Sequence, residues 1–303
     1  LDIKFIIAHP DLVKKDLEKR HDQEKLPWVD EIVQKFGQWK KLKLKADKLR
    51  HSRNLITREI NTLQKQGESI TAKIKEAKAL PQKIVEAEKK LEELQERIDY
   101  ILQRLPNILH KSVPFGRGEE GNKEIKKWGK IKKFSFPLKA HGELLEERNL
   151  ADFKRATKIS GAGFYFLKGD FVLLEQALIQ FALEHLTKKG FTPVTTPLHL
   201  DREPYEQVIE LDAFQDVMYK IDDADTFLIA TSEHPIAAMH MNEVLPELPL
   251  KFAGLSSCFR KEIGSHGVDT RGLFRVHQFT KVEMFVFSKP EDSWKIHEEL
   301  LAV

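Results

Sequence analysis

The stretch "FRKEIGSHGVDTRGLFRVHQFTKVEMFVF", residues 259–287, predicts two strands joined by a polar loop that contains glycines. Arg260 and Glu262 lie two residues apart on the first predicted strand, so their side chains project from the same face of the sheet. On the returning strand, Phe279 and Glu283 lie four residues apart and also share a face. The sequence therefore predicts a hairpin with a guanidinium, two carboxylates and an aromatic ring, a set that suits a nucleobase and an amine.

The side chains of this hairpin indicate its chemistry. An arginine offers a planar, permanently charged fork that suits phosphate or carboxylate groups. A neighbouring glutamate accepts hydrogen bonds from an amino group or a nucleobase amine. Taken alone, however, FRKE is also typical of an ion pair on a sheet surface, and Phe279 is typical of an apolar core.

The rest of the C-terminal half reads as short strands and helices. The segment "FYFLKGDFVLLEQALIQFALEHLTKKGFTPVTTP" predicts a strand, a turn, a helix from about 171 to 189, and a strand bounded by Gly190 and Pro197. Further strands are predicted in "DVMYKI", "DTFLIAT" and "LKFAGLSSCFRKE". The fold class is therefore α+β with a mainly antiparallel sheet. The sequence lacks GxGxxG and GxxxxGKS or GxxxxGKT, which argues against a dinucleotide-binding fold and a P-loop.

Two stretches of the N-terminal half carry apolar residues at alternating steps of three and four. The first uses positions 39, 42, 46, 49, 53, 56, 60 and 63, all apolar except Arg53, and the second runs from Ile84 to Leu105. These stripes predict an antiparallel helical hairpin, a coiled-coil arm over about 31–105, with its tip at the polar break "QKQGES". Pro81 is expected to interrupt the second helix.

Length and composition frame these two patterns. A chain of 303 residues suggests two domains, and the Pro- and Gly-rich stretch 105–122 indicates a boundary near 110, which gives domains 1–110 and 111–303. The net charge of +3 indicates no general attraction to nucleic acid. The single cysteine, Cys258, excludes an internal disulfide framework and fits a reducing compartment. No run approaches the roughly 18 apolar residues of a membrane span, so we expect a cytoplasmic protein without membrane association.

The first helix of the arm is strongly basic. Between residues 35 and 65 it holds ten lysines and arginines against two acidic residues, whereas the second helix mixes its charges. A projecting basic rod neutralises RNA phosphates, which favours shape-directed RNA binding. A solubilising surface and a protein-binding coiled coil remain as alternatives. The candidate RNA-binding residues are Lys41, Lys45, Lys48, Arg53 and Arg58.

Several motifs together resemble one enzyme family. "FRKE", followed by a loop and "RGLFRVHQFTKVEMF", resembles motif 2 of the class II aminoacyl-tRNA synthetases, and specifically the archaeal-like seryl-tRNA synthetases. "TSEHPI" at 231–236 resembles the serine-pocket segment of that family, and "LEHLTKKGFTPVTTP" resembles its motif 1, which ends at Pro197. The "LDIKF" start and the helical hairpin are also similar to the family. The resemblance therefore covers nearly the whole chain.

The resemblance implies activation of L-serine by ATP to seryl-adenylate and transfer of serine to the 3′ end of tRNA(Ser), with Mg²⁺ as the companion of ATP. It implies that Arg260 is the catalytic residue, which contacts the α-phosphate and the serine carboxylate. The implied ATP-binding residues are Arg260, Lys261, Glu262, Val276 and Phe279. The implied serine-binding residues are Thr231, Ser232, Glu233, Arg260 and Glu283.

The resemblance also implies macromolecular partners. The motif 2 loop from Ile263 to Leu273 is expected to close over ATP, and Arg271 and Arg275 are expected to meet the tRNA acceptor end. Motif 1, with Pro197, implies a homodimer interface. The arm is expected to contact the long variable arm of tRNA(Ser).

Three histidines, His234, His266 and His277, raise the question of a metal site. We expect none, because no cysteine cluster or HxxxH helix accompanies them. By the resemblance, the Mg²⁺-binding glutamate and motif 3 are expected beyond Val303. Three functions therefore remain open: a seryl-tRNA synthetase without its C-terminal part, a catalytically silent relative that binds tRNA, and a structural coiled-coil protein. The joint presence of Arg260, Glu262, Glu283 and Thr231 argues against the second function, and the half of the chain that carries the motifs argues against the third.

Overall fold

The computed structural model describes residues 1–116, 118–262 and 272–303, apart from the side chains at 212, 213 and 215. The chain divides into two compact units, Leu1–Lys130 and Ile131–Val303. Each unit is described by itself below. The domain boundary near residue 110 stays a prediction.

The first unit is helical. The short helix α1 begins at the Asp2 carboxylate, which accepts a hydrogen bond from the Lys4 N–H at 2.6 Å and so satisfies an orphan donor of the first turn. The longest helix, α3, ends at Gly67, whose φ of 72° is the left-handed conformation that glycine adopts without strain. A new helix begins one residue before Pro81, which confirms the predicted interruption. The helices are α1 (Ile3–Ala8), α2 (Pro10–Lys19), α3 (Leu26–Gln66), α4 (Thr71–Lys78) and α5 (Leu80–Arg104).

Helices α3 and α5 pack along the two predicted apolar stripes. Ile56 from α3 is buried against Leu80 and Ile84 from α5. The guanidinium of Arg97 on α5 donates two hydrogen bonds of 2.8 Å to the Glu31 carboxylate at the start of α3. Residues late in α5 therefore meet residues early in α3, which confirms the antiparallel helical hairpin.

The second unit combines helices and strands. Its helices are α6 (His141–Glu147), α7 (Phe153–Ser160), α8 (Asp170–Lys188), α9 (Arg202–Val208), α10 (Leu211–Phe214), α11 (Glu233–Ala238) and α12 (Ser293–Leu301). Its strands are β1 (Ala151–Asp152), β2 (Phe166–Leu167), β3 (Thr192–Thr195), β4 (His199–Asp201), β5 (Thr226–Leu228), β6 (Leu250–Phe259) and β7 (Gln278–Phe287). The long helix and the strand that were predicted around Gly190 are confirmed as α8 and β3.

The central sheet has the strand order β3-β6-β7. Strands β6 and β7 pair antiparallel, with Gly254 opposite Glu283 and Cys258 opposite Phe279, whereas β3 runs parallel to β6. The pairs β1–β2 and β4–β5 form separate antiparallel ribbons. Ala253 of β6 lies in an apolar cluster below α8, which covers this side of the sheet. The α+β class is confirmed, with one parallel pair in a largely antiparallel set.

Two predicted strand assignments need correction. "DVMYKI" was predicted as a strand, but residues 215–217 form a 3₁₀ turn and only Lys220 makes an isolated bridge, to Phe227. Strand β6 ends at Phe259, so Arg260 and Glu262 follow the strand instead of lying on it. The reason is that the Lys261 N–H donates to the Val217 carbonyl at 2.8 Å, away from β7. In the described part of the chain, no helix has the length and apolar character needed to cross a membrane.

Candidate active site

A cavity of about 390 Å³ opens beside the end of β6. One wall is apolar and includes Met218 and Ile209. The rest of the lining includes polar and charged residues from three separate parts of the sequence. These residues are Thr231, Glu233, His234, Arg260, Glu262 and Arg275. The structure thus brings together side chains that the sequence analysis assigned to ATP and to serine.

Arg260 contacts three other residues of the site. Its guanidinium carbon lies 5.3 Å from the centre of the Phe279 ring, within cation–π distance. Its Nε donates to the Ala230 carbonyl at 3.3 Å, and its main-chain N–H donates to the His277 carbonyl at 2.9 Å. The last contact extends the pairing of β6 with β7 by one residue, so Arg260 and Phe279 stay neighbours although β6 has ended.

Glu262 and Arg275 form an ion pair across the mouth of the hairpin. The Arg275 Nε donates to the Glu262 carboxylate, and both residues line the cavity. Glu262 was predicted to hold the adenine end of ATP, and Arg275 was predicted to meet the tRNA acceptor end. The side chain predicted to bind adenine is therefore in direct contact with one predicted to bind the tRNA acceptor end.

Glu283 anchors the segment that carries Thr231, Ser232 and Glu233. Its Oε2 accepts hydrogen bonds from the Thr231 hydroxyl, from the Ser232 hydroxyl at 3.1 Å and from the Glu233 N–H at 3.1 Å. Its Oε1 accepts from Lys281 Nζ at 2.7 Å. Burial by itself raises the pKa of Glu283, but the hydrogen bonds from Lys281 and Thr231 outweigh burial and hold that pKa below its ordinary value. Glu283 is therefore an ionised acceptor at neutral pH.

Gly254 allows this segment to approach the sheet. A Cβ atom at position 254 would lie 2.7 Å from the Ser232 hydroxyl oxygen and 2.7 Å from the Ile236 side chain. Ser232 is fully buried between this glycine and Glu283. The sequence analysis missed Gly254, although a glycine inside a strand pattern indicates a close approach of another segment.

In the described part of the chain, two tyrosine–histidine pairs adjoin Arg260 and its neighbours. The Tyr205 hydroxyl lies 2.7 Å from His234 Nδ1, and the Tyr219 hydroxyl lies 2.7 Å from His277 Nδ1. Burial lowers the pKa of His234 to about 4 and raises the pKa of Tyr205 to about 12, so this pair is neutral at pH 7. The sequence analysis considered both histidines only as metal ligands and did not find their tyrosine partners, which are distant in sequence.

The other predicted residues are less central to the cavity. Val276 is buried, and the Lys261 ammonium lies 5.8 Å from the centre of the Tyr219 ring. Pro197 follows the end of β3. Arg271, with most of the predicted motif 2 loop, lies outside the described residues. Across the described residues, no group of three or more His, Cys, Asp or Glu side chains could hold a metal ion.

The five predicted RNA-binding residues all lie on α3 in the first unit. Each of them is exposed. Lys41 and Lys45 also line a shallow groove with Lys35 and Lys90. A basic surface is therefore present on the arm, as its charge pattern predicted.

Comparisons with known proteins identify the family to which these two units are similar. Residues 1–109 match the model of the seryl-tRNA synthetase N-terminal domain, and residues 218–303 match the model of the tRNA synthetase class II core domain (G, H, P, S and T). The serine–tRNA ligase of Methanocella arvoryzae is 54% identical over 304 residues, an alignment that covers 100% of this chain and 72% of that protein. The chain belongs to the seryl-tRNA synthetase family.

Solved structures of family members have the same fold. The seryl-tRNA synthetase of Pyrococcus horikoshii, complexed with ATP, matches with a TM-score of 0.86 and 44% identity, covering 100% of this chain and 72% of that one. The cytoplasmic serine–tRNA ligase of Naegleria fowleri, in complex with AMP, matches with a TM-score of 0.81 and 29% identity, covering 100% of this chain and 70% of that one. The resemblance read from motifs 1 and 2 and from TSEHPI is confirmed, as is its archaeal character.

Proposed function

We propose that the chain activates L-serine with ATP to seryl-adenylate and transfers the serine to the 3′ end of tRNA(Ser). The observation that carries the proposal is the convergence of Arg260 and the Glu283-anchored Thr231 segment on one cavity, with the Phe279 ring beside the Arg260 guanidinium. An anion-binding group, an aromatic platform and an amino-acid pocket are the parts that adenylate formation requires. Class II serine–tRNA ligation is the activity that membership of this family implies for such a cavity.

Arg260 supplies the electrostatic part of the reaction. A carboxylate oxygen of serine attacks the α-phosphorus of ATP, a new oxygen–phosphorus bond forms, and the bond to the departing pyrophosphate breaks. Negative charge develops on the α-phosphate oxygens during this exchange, and a fixed guanidinium stabilises it. The hydrogen bond from Arg260 Nε to the Ala230 carbonyl leaves the terminal nitrogens of the guanidinium to bind the substrate.

The hairpin supplies the ATP site. Phe279 stacks on the adenine ring, and Glu262 accepts from the exocyclic amine of adenine. Val276 contributes main-chain contacts and Lys261 a positive charge. Mg²⁺ enters with ATP as a companion of its phosphates.

The segment Thr231–Glu233 and Glu283 supply the serine site. The ionised Glu283 and the Thr231 hydroxyl offer hydrogen-bond partners to the serine hydroxyl and ammonium, and Glu233 adds a second carboxylate at the cavity wall. Alanine lacks the hydroxyl and forms no such hydrogen bond with Glu283 or Thr231, so the site disfavours it.

The macromolecular partners are tRNA(Ser) and a second copy of the chain. The exposed basic face of α3 supports contacts with the variable arm, and Arg271 and Arg275 are assigned to the acceptor end. The face of α8 exposes large apolar side chains, with Leu173 67% and Phe181 69% exposed, which supports a homodimer through motif 1 and Pro197. Residues 1–110 thus form the tRNA-binding domain and 111–303 the catalytic domain, and we assign the activity to the cytoplasm.

Two assays on the full protein test this function. Serine-dependent exchange of labelled pyrophosphate into ATP is expected, and alanine is expected to support far less of it. Deletion of residues 35–104 is expected to weaken tRNA charging much more than exchange, because the arm binds RNA and takes no part in adenylate formation. Absence of exchange together with retained tRNA binding would favour the catalytically silent relative, and equal losses of both activities would contradict the role of the arm.

A further inference from the structure

Arg260 is held at its two ends by peptide groups of other segments. Its main-chain N–H donates to the His277 carbonyl at 2.9 Å, and its Nε donates to the Ala230 carbonyl at 3.3 Å. The exposed side chain is long, and a free arginine of this kind samples many rotamers. The orientation of these two carbonyls therefore decides where the guanidinium points.

The His277 peptide is fixed by its own side chain. The imidazole stacks on Phe164 with ring centres 5.1 Å apart and an interplanar angle of 8°, and its Nδ1 meets the Tyr219 hydroxyl at 2.7 Å. The His277 N–H donates to the Gly163 carbonyl at 2.9 Å. A Cβ atom on Gly163 would collide with the imidazole, so the ring is enclosed on that side too. The contacts on the imidazole ring, on the His277 N–H and on the His277 carbonyl leave the main chain at His277 little freedom.

The main chain at Ala230 is held by the second pair, through the N–H of the residue whose carbonyl binds Arg260. The Tyr205 hydroxyl accepts from the Ala230 N–H at 3.4 Å and contacts His234 Nδ1 at 2.7 Å. Tyr205 is fully buried, and its ring meets the His234 ring edge to face with centres 4.9 Å apart. Because the hydroxyl accepts from the peptide, its proton is free to be donated to the imidazole.

We propose that the Tyr219–His277 and Tyr205–His234 pairs are positioning residues for Arg260. The first pair holds the residue whose carbonyl binds the Arg260 main chain, and the second holds the residue whose carbonyl binds its guanidinium. The proposal rests on the proposed function, in which Arg260 contacts the reacting phosphate. Misplacement of such a group by a fraction of an ångström lowers the rate of the chemical step.

Tyrosine-to-phenylalanine variants of the full protein test the proposal. Tyr219→Phe and Tyr205→Phe each remove one oxygen and keep the ring. The chain contains four tyrosines, so Tyr100→Phe and Tyr165→Phe serve as matched controls. We expect kcat for serine-dependent pyrophosphate exchange to fall about 5- to 20-fold in each test variant, with the KM for serine within about twofold of the parent value. The controls are expected to keep both parameters.

A resonance of Arg260 gives a readout that does not depend on activity. The Nε–H signal of Arg260, assigned by its loss in Arg260→Lys, is expected to shift in ¹⁵N-arginine-labelled Tyr205→Phe, and the main-chain amide signal of Arg260 in Tyr219→Phe. If the parent protein catalyses no exchange, the proposed function is wrong. The Nε–H and main-chain amide signals of Arg260 then still show whether the two pairs position this residue. Signals and kcat that match the controls would overturn the proposal. A rise in KM with unchanged kcat would also overturn it, because a merely structural change in the pocket gives that result.

Discussion

The helical arm and the β6–β7 hairpin are both antiparallel pairs, yet different contacts hold them together. In the arm, α3 and α5 meet along a continuous apolar stripe, and ion pairs such as Arg97–Glu31 lie partly exposed beside it. In the hairpin, a main-chain ladder joins the strands, and polar side chains such as Glu283 connect them to a neighbouring segment. The arm is therefore stabilised by many similar contacts, whereas the hairpin depends on a few dissimilar ones.

This difference in contacts determines how each region responds to a substitution. Apolar contacts along a stripe add in small increments, so the loss of one alters the free energy of unfolding by a limited amount. A buried polar network fails when one member is removed, because the remaining members lose their partners. We therefore expect matched substitutions to have larger effects in the hairpin than in the arm.

The largest contrast is expected between two arginines. Arg260→Lys removes the planar fork beside Phe279, and serine-dependent pyrophosphate exchange is expected to fall about 10²- to 10³-fold. Arg58→Lys on the exposed face of α3 keeps the charge and lies outside the cavity, so exchange is expected to stay at the parent rate. Similar rates for the two variants would remove Arg260 from the proposed reaction.

Two glycines give the next contrast, measured by urea unfolding. Gly254→Ala places a methyl group against Ser232 and Ile236, and we expect a loss of about 1–3 kcal/mol in the free energy of unfolding. Gly37 lies within α3, where an added Cβ meets no described atom within 4 Å, so Gly37→Ala is expected to gain about 0.5–1 kcal/mol. A neutral result at position 254 would mean that the TSEHPI segment shifts without cost.

The pH dependence of the melting temperature is expected to differ between variants of two histidines, His234 and His51. Burial depresses the pKa of His234 to about 4, below the value near 6.5 that histidine has in the unfolded chain. Because the unfolded state then binds more protons between these values, the stabilisation is present above about pH 6.5 and is lost as the pH falls toward 4. Melting temperatures from pH 7.5 to 4.5 are expected to fall less steeply in His234→Gln, while the exposed His51→Gln in the arm should follow the parent curve.

The smallest effect is expected for an ion pair of the arm. Arg97 and Glu31 share two hydrogen bonds of 2.8 Å, but both side chains are about one-third exposed, at 36% and 28%. A double-mutant cycle with Arg97→Gln and Glu31→Gln is expected to give a coupling of about 0.2–1 kcal/mol, because water screens exposed pairs. A coupling of several kcal/mol would show that the arm, like the hairpin, depends on individual polar contacts.

Much of the architecture was predictable because it follows from periodic sequence. The steps of three and four that include Ile56 and Ile84 specify the arm, and the apolar runs around Ala253 specify β6 and β7. The break before Pro81 follows from the chemistry of proline alone. These features are determined by residues that lie close together in the chain, so they can be predicted from the sequence.

The polar contacts were not predictable in the same way. Tyr205 and His234, or Tyr219 and His277, are 29 and 58 residues apart, and no local pattern links them. The strand predicted in "DVMYKI" is reduced to a bridge with β5 around Lys220, because Val217 uses its carbonyl to accept from Lys261 while, among the described residues of this stretch, only Tyr219 and Ile221 form hydrogen bonds with the β5 main chain. The motifs identified which residues belong to the site, whereas the structure adds which of them contact each other.

The three hydrogen bonds that Glu283 Oε2 accepts affect how an amino acid enters the site. Its Oε2 already accepts from Thr231, Ser232 and the Glu233 N–H, and a carboxylate oxygen has room for few further donors. An incoming hydroxyl or ammonium group therefore binds at Oε1, which accepts from Lys281, or replaces one of the donors on Oε2. At Oε2, entry is an exchange of hydrogen-bond partners within a carboxylate that keeps its place in the site.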